Sequence, residues 1–314
     1  MEIVSNDHRH IVRFADSKGL TDIEGGSIPL AVFSPPYGLG LQYGSEGTVV
    51  EGQIEMPVLN MQDYHTFRGR LFEFFPGIAR VIVPGGYVCI NIANPHTASR
   101  LFGRNMVLPL AYDTIQEWIR LGWDLKADIF WRAARTLRGS NRETISILGS
   151  YPYPLEGAVG REIEHVLVFR KHGLPDAEGN PTWTRTDVDQ EKRKASKLTL
   201  PEWMAYFCQV WEFPGAAKQW SGDVQHQAPY PLELPKRLIR MYSVIDDTVL
   251  DPFAGTGTTA EAAKATGRKS ISYEINVEFR RLIEDKLRPF QKRLSDFEEE
   301  ERGGIFDVPT VDTP

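Results

Sequence analysis

Uninterrupted apolar runs constrain this chain more than any other feature. PLAVF at 29–33, YVCINI at 87–92 and EHVLVF at 164–169 each end in turn or polar residues and are too short for stable helices. Strands apolar along their whole length belong in a sheet covered on both faces. HIVRF at 10–14, the stretch 125–131, TVL at 248–250 and 270–273 read as further strands. Between them lie segments of helical period. Tyr64, Phe67, Leu71, Phe74, Ile78 and Ile82 recur on one face up to a stop at Pro84-Gly85-Gly86. Helices are also expected over 108–121, 232–243, up to Ala265, and from Asn276 onward. Strand alternating with helix predicts an α/β fold, a doubly wound and mostly parallel sheet. Residues 172–195, rich in Gly, Pro, Asp and Lys and without a period, read as a loop or small insertion.

Composition narrows the function classes. The 314 residues are 41% hydrophobic and 25% charged, which excludes whole-chain disorder. No run approaches the roughly 20 apolar residues of a membrane span, and MEIVSNDHRH carries no signal-type apolar stretch, so a cytoplasmic protein is expected. Two cysteines, Cys89 and Cys208, allow no disulfide framework, and no His-x-x-x-His pair suggests a metal. The net charge of −6 resides in the tail: residues 295–314 hold seven acids and one base, leaving 35 of each sign in the body. Charge must therefore be judged locally, and the tail is read as an acidic disordered extension.

Two motifs carry chemistry. Asp251-Pro-Phe-Ala-Gly-Thr-Gly-Thr-Thr259 sits where a strand gives way to a helix, so its glycines permit close approach and the helix N-terminus offers amides to an anionic group. With no lysine before Lys264 it is not a P-loop. Glu274 ends the next strand 19 residues after Gly255, where a carboxylate can accept from both ribose hydroxyls; it could equally complement the dipole of the helix that follows. Ser34-Pro-Pro-Tyr37 also ends a strand. Its prolines fix the backbone and remove two amides, leaving carbonyls to accept from an amino group, while Ser34 adds a hydroxyl and Tyr37 a stacking face. A rigid turn closed by a core tyrosine is the alternative.

Together these motifs resemble the amino-methylating DNA methyltransferases, whose catalytic tetrapeptide is (Asp/Asn/Ser)-Pro-Pro-(Tyr/Phe) and whose cofactor motif contains Phe-x-Gly-x-Gly. The catalytic motif comes first here, an order similar to that of the beta class. The segments 80–92 (RVIVPGGYVCINI), 164–171 (EHVLVFRK) and 226–239 (HQAPYPLELPKRLI) resemble further blocks of that class.

The resemblance implies a Rossmann-like fold of the S-adenosylmethionine-dependent methyltransferase type with circularly permuted motif order. It implies S-adenosyl-L-methionine as cofactor, with Asp251, Phe253, Gly255 and Gly257 lining its site, Thr258 and Thr259 near the methionine end, Glu274 on the ribose and Asp16 near the adenine. Ser34, Pro35, Pro36 and Tyr37 become the catalytic residues for direct transfer to an exocyclic amine. Within the family serine at the first catalytic position goes mainly with cytosine, which favours its N4 amine. The partner implied is double-stranded DNA, in a restriction-modification setting with a cognate endonuclease. Residues 1–171 would form the catalytic half, 172–210 the target-recognition region, 211–294 the cofactor half of the same domain, and 295–314 the tail. Arg132, Arg135, Arg138 and Arg142 in one polar stretch, and Lys192, Arg193 and Lys194 with Lys197 in another, are candidate DNA-binding residues; solvated charged faces are the alternative.

Neither cysteine follows a proline, so both are read as packed core residues and methylation at cytosine carbon 5 is set aside; Trp203 and Trp211 are read as packing rather than base-stacking residues. The competing functions are an adenine-N6 methyltransferase, the same chemistry on RNA, a nonenzymatic DNA-binding protein of this fold, and an NAD-linked dehydrogenase. The last gives Ser-Pro-Pro-Tyr no role.

Overall fold

A computed structural model describes residues 1–36, 58, 60–97, 106–133, 159, 162–180, 182–186, 188–216, 219–221, 224–226 and 230–288. Tyr37, Arg135, Arg138, Arg142 and the acidic tail lie outside these residues.

Alternate residues of the apolar strands feed two different cores, as period-2 geometry requires. In β3 (Ile28–Phe33), Ala31 and Phe33 face one layer while Leu30 and Val32 face the other; in β6 (Ile163–Arg170), Leu167 and Phe169 oppose Val166 and Val168 in the same way. The first layer is α1 (Met61–Phe72), α2 (Phe75–Val81) and α3 (Leu110–Arg120), which bury Tyr64, Phe67, Leu71, Phe75, Ile78 and Trp118. Each of these side chains removed from water contributes about 1.5–3 kcal/mol before entropy is counted. The second layer holds α6 (Glu233–Tyr242) and α7 (Thr258–Ala265), with α8 (Arg280–Leu287) beside them.

Nine strands form the sheet in the order β1-β2-β11-β10-β3-β4-β6-β5-β7. They comprise β1 (Glu2–Val4), β2 (His10–Phe14), β3, β4 (Ile82–Ile92), β5 (Asp124–Ala133), β6, β7 (Val210–Phe213), β10 (Thr248–Asp251) and β11 (Lys269–Glu274); a separate hairpin pairs β8 (Gln219–Ser221) with β9 (Val224–His226). The run from β2 to β4 is parallel throughout, and β6 runs antiparallel to both β4 and β5. The expected mostly parallel, doubly wound sheet is therefore present. Its order reverses between β10 and β3, the kind of position where open α/β sheets bind ligands. Among the described residues no helix is long and apolar enough to cross a membrane.

Several expectations are corrected. The single helix predicted from Tyr64 to Ile82 is two, because the chain leaves α1 at Glu73–Phe74 and re-enters with Pro76 in the first turn of α2. That helical course ends at Val81, and Pro84-Gly85-Gly86 lies within β4, absorbed by a register shift against β3 between Ile28 and Leu30. The 172–195 loop contains α4 (Gln190–Ala195), nucleated where Asp189 accepts from the Lys192 amide at 2.9 Å. It is followed by α5 (Leu200–Tyr206), whose Thr199 and Glu202 form a capping box. Cys208 is exposed rather than packed in the core; Trp203, on α5 outside the sheet, is also exposed and stacks on Phe207 with ring centroids 4.3 Å apart. Trp211 is buried as expected, its indole donating to the Tyr206 carbonyl.

The 172–197 segment docks under the N-terminal ends of the parallel strands. Arg185 forms a two-pronged contact with Asp247, which immediately precedes β10, at 2.7 and 3.2 Å, both side chains 10% exposed. Lys192 reaches Asp246 at 3.1 Å, and the Ile245 amide donates to Ser196 Oγ. Arg185→Met should leave the Asp247 carboxylate buried with one cation fewer and lower unfolding free energy by about 3 kcal/mol. Denaturant unfolding measures this, and cofactor affinity should stay within about twofold.

Candidate active site at the C-terminal edge of the sheet

The turn after β10 is built by short-range bonds that leave its glycines in the left-handed region. Asp251 Oδ1 accepts from the Phe253 amide at 2.9 Å, the Ala254 amide donates to the Tyr273 carbonyl, and the Gly257 amide closes back onto the Ala254 carbonyl. Gly255 and Gly257 take φ of +52° and +80°, and a Cβ on Gly257 would stand 3.2 Å from Ile283. A side chain here would meet both strain and a packed neighbour. Gly257 is the N-cap of α7 and no side chain caps that helix. Its first amides are thus left to a ligand.

Two carboxylates flank the turn. Asp251 is fully buried, and its Oδ2 is buried with no hydrogen-bond partner. Burial pushes its pKa up to about 7, against the opposing contributions of Thr259 and the Phe253 amide. Glu274, at the end of β11, accepts from the Gly255 amide at 2.6 Å through one oxygen and from the Asn276 amide at 2.8 Å through the other. Burial raises it to about 7 as well, although both amides favour its ionised form. Glu274 thus faces the glycine turn through one oxygen and tethers the start of the following helical segment through the other.

Ser34, Pro35 and Pro36 of the candidate catalytic motif abut this turn. The Thr259 hydroxyl lies 3.4 Å from the Val32 carbonyl, two residues before Ser34. The rings of Phe33 and Phe253 are 5.6 Å apart, and Phe74 completes the stack at 5.3 Å from Phe253. Ser34 and Pro36 are half-buried and Pro35 is buried. Asp16 reaches the same edge. β2 pairs with β11 through Phe14 and Glu274, the Ala15 amide donates to the Glu274 carbonyl, and Ser17 Oγ donates to the Pro252 carbonyl at 2.8 Å. Asp16 itself is exposed and accepts from the Lys18 amide.

The basic candidates divide. Arg132 lies at the C-terminal end of β5, on the catalytic edge, paired with Glu212 at 2.8 Å. The Lys192, Arg193 and Lys194 cluster is at the opposite edge, since α4 contacts Asp246 in the turn that precedes β10, whereas Asp251 ends that strand. The structure does not bring that cluster to the site. Three residues that sequence reasoning did not single out are here. Tyr230 hydrogen-bonds Thr259, and burial raises its phenol well above the usual range. Lys286 reaches Thr256 and Thr258 from α8. Ser17 anchors the turn from the β2 side. Tyr230 falls inside the 226–239 block, but Lys286 carried no motif signal. Cys89 is buried and burial pushes its thiol up, the state of a packing residue and not of a nucleophile.

A model of the DNA methylases matches residues 28–285, which include every element just described except β1 and β2. The chain belongs to the DNA methylase family. It is 33% identical over 299 residues to the Type II methyltransferase M.MjaI of Methanocaldococcus jannaschii, covering 91% of this chain and 93% of that one. A chain from Thermus thermophilus, described as a putative DNA modification methylase and solved with S-adenosyl-L-methionine, superposes with a TM-score of 0.64 at 28% identity, over 89% of this chain and 94% of that one. The PvuII DNA methyltransferase (cytosine-N4-specific) shares the fold, with a TM-score of 0.62 at 17% identity over 93% and 90% of the two chains. The protein is an S-adenosyl-L-methionine-dependent DNA methyltransferase. The residues present fit that cofactor: a glycine cradle, a helix end without a side-chain cap, and an unpartnered buried carboxylate oxygen suited to a cationic ligand.

Gly255→Val should weaken S-adenosyl-L-methionine binding by more than about a hundredfold by calorimetry, a loss of about 2.7 kcal/mol. The two raised carboxyls give a second expectation. Without cofactor, folding raises them from 3.8 and 4.5 to about 7, so unfolding releases protons and their contribution to stability falls as pH rises from about 4 to about 7. A cationic ligand beside Asp251 favours the ionised form, so cofactor affinity should rise with pH through about 7, with protons released on binding. Calorimetry in buffers of different ionisation enthalpy measures that release.

Proposed function

We propose that this methylase modifies the exocyclic N4 amine of cytosine at a specific site in double-stranded DNA, within a prokaryotic cytoplasm, as the modification partner of a restriction endonuclease acting on the same site. The observation that carries the base assignment is Ser34: serine occupies the first catalytic position, two residues beyond the β3 carbonyl beside Thr259 of the cofactor helix. The name of the M.MjaI relative supports the restriction-modification setting.

When bound, S-adenosyl-L-methionine supplies an electrophilic methyl group. The chain's own residues do the rest by positioning. Asp251 and the glycine turn hold the cofactor, Glu274 takes its ribose, and Asp16 lies toward the adenine. Ser34 orients the target amine, the Pro35 carbonyl accepts one of its hydrogens, and Tyr37 stacks on the base once it leaves the duplex. Pro36 removes an amide that would otherwise compete for that amine as a misdirected donor. Arg132, with Arg135, Arg138 and Arg142 of the same segment, is proposed to meet DNA phosphates on the catalytic edge.

Incubation with S-adenosyl-L-methionine and unmethylated DNA of mixed sequence, followed by nucleoside mass spectrometry, should yield N4-methylcytosine. N6-methyladenine would keep the family and overturn the role given to Ser34. Ser34→Ala should lower kcat by about a hundredfold, within the range for losing one oriented polar contact, and leave cofactor Kd within about twofold; steady-state kinetics and titration separate the two.

A further inference from the structure

Lys286 is an unusual neighbour for a glycine turn. It comes from α8, its side chain is 14% exposed, and its Nζ donates to Thr256 Oγ1 at 3.0 Å and to Thr258 Oγ1 at 2.9 Å; Glu261 Oε2 stands further off at 3.6 Å. Both threonines are almost fully buried and their hydroxyl oxygens are 3.5 Å apart. A hydroxyl that accepts from an ammonium keeps its own hydrogen to donate. Lys286 therefore turns both hydroxyls toward donating, and since one can donate to the other, at least one hydrogen is left for the turn.

Its charge also sits beside the positive end of α7, where a cation is unfavourable unless an anion joins it. No side chain supplies that anion as a cap. Glu261, in the first turn of α7, offsets part of the charge but is the longer contact. S-adenosyl-L-methionine contains one anionic group, the carboxylate of its methionyl end.

We propose that Lys286 is a positioning residue for the cofactor: acting through Thr256 and Thr258, it sets the turn and α7 to receive the methionyl carboxylate. It touches neither the methyl group nor the target base. The proposal rests on the cofactor site described above, which wild-type binding of S-adenosyl-L-methionine tests separately.

The experiment is calorimetric titration of wild type, Lys286→Met and Lys286→Arg with three ligands. S-adenosyl-L-methionine and S-adenosyl-L-homocysteine carry the carboxylate, and 5′-methylthioadenosine lacks it. Lys286→Met should weaken both carboxylate-bearing ligands by about tenfold, the scale of one charge-assisted contact, and leave 5′-methylthioadenosine within about twofold. Lys286→Arg should recover most of the loss. Equal losses for all three ligands, or none, would overturn the proposal. Should Lys286→Met not fold, Lys286→Gln, which keeps an amide donor without charge, is read by the same ligand contrast. With kinetics at saturating DNA, the variant should raise the cofactor KM and leave kcat near wild type; a fall in kcat alone would also overturn it.

Discussion

The site depends on the pairing of β10 with β3. That contact joins two stretches more than 200 residues apart in the chain, Val249 opposite Leu30 and Leu250 opposite Ala31. It puts the glycine turn beside Ser34-Pro-Pro, because each follows directly from the C-terminal end of one of the two strands. The contact continues past the sheet: Thr259 meets the Val32 carbonyl, and Phe33 packs on Phe253. Amine and methyl donor can be aligned only if these two strand ends are held rigidly, since in-line transfer tolerates little displacement.

Around that pairing the structure concentrates groups that are costly on their own. Asp251 is buried with an unpartnered oxygen, burial raises the Glu274 carboxyl to about 7, and Lys286 lies beside a helix end of its own sign. An unpaired buried polar atom costs on the order of 1–3 kcal/mol. S-adenosyl-L-methionine, with its sulfonium, ammonium, carboxylate and ribose hydroxyls, has the groups that would offset these costs. The sheet behind this cluster is apolar and closely packed and carries that unfavourable arrangement.

Much of this was legible in the sequence. Continuous apolar strands gave the covered sheet because burial on both faces removes any need for polar alternation, and both motifs follow strand ends as expected; that the two strands are neighbours is set by long-range pairing with no local signal. Asp16, Asp251, Gly255, Gly257 and Glu274 meet at one edge. Other features could not be read. The break between α1 and α2 leaves the helical period almost intact, so a single helix fits the pattern equally well. β1 has three residues, too few for any period. Lys286 looks like any surface lysine of an amphipathic helix, and its role depends on how α8 lies against α7. The Lys192 cluster looked like a DNA contact because local charge says nothing about which end of a strand it docks under; Asp246 and Asp247 decide that.

The strand order also bears on how the chain assembles as it is made. β2 and β3 are close in sequence, yet they are not sheet neighbours: β11 and β10 lie between them. Until residues 248–274 emerge, β1 and β2 have no strand of the β3–β4 sheet to pair with, and the edge of β3 that β10 covers exposes unpaired amides and carbonyls. An open edge of this kind templates association with other chains. Insertion of the β10–α7–β11 unit closes both edges at once and creates the cofactor pocket in the same step. Cofactor present during synthesis would therefore favour the closed sheet over aggregation, so the yield of folded protein should be tied to cofactor supply in the cell.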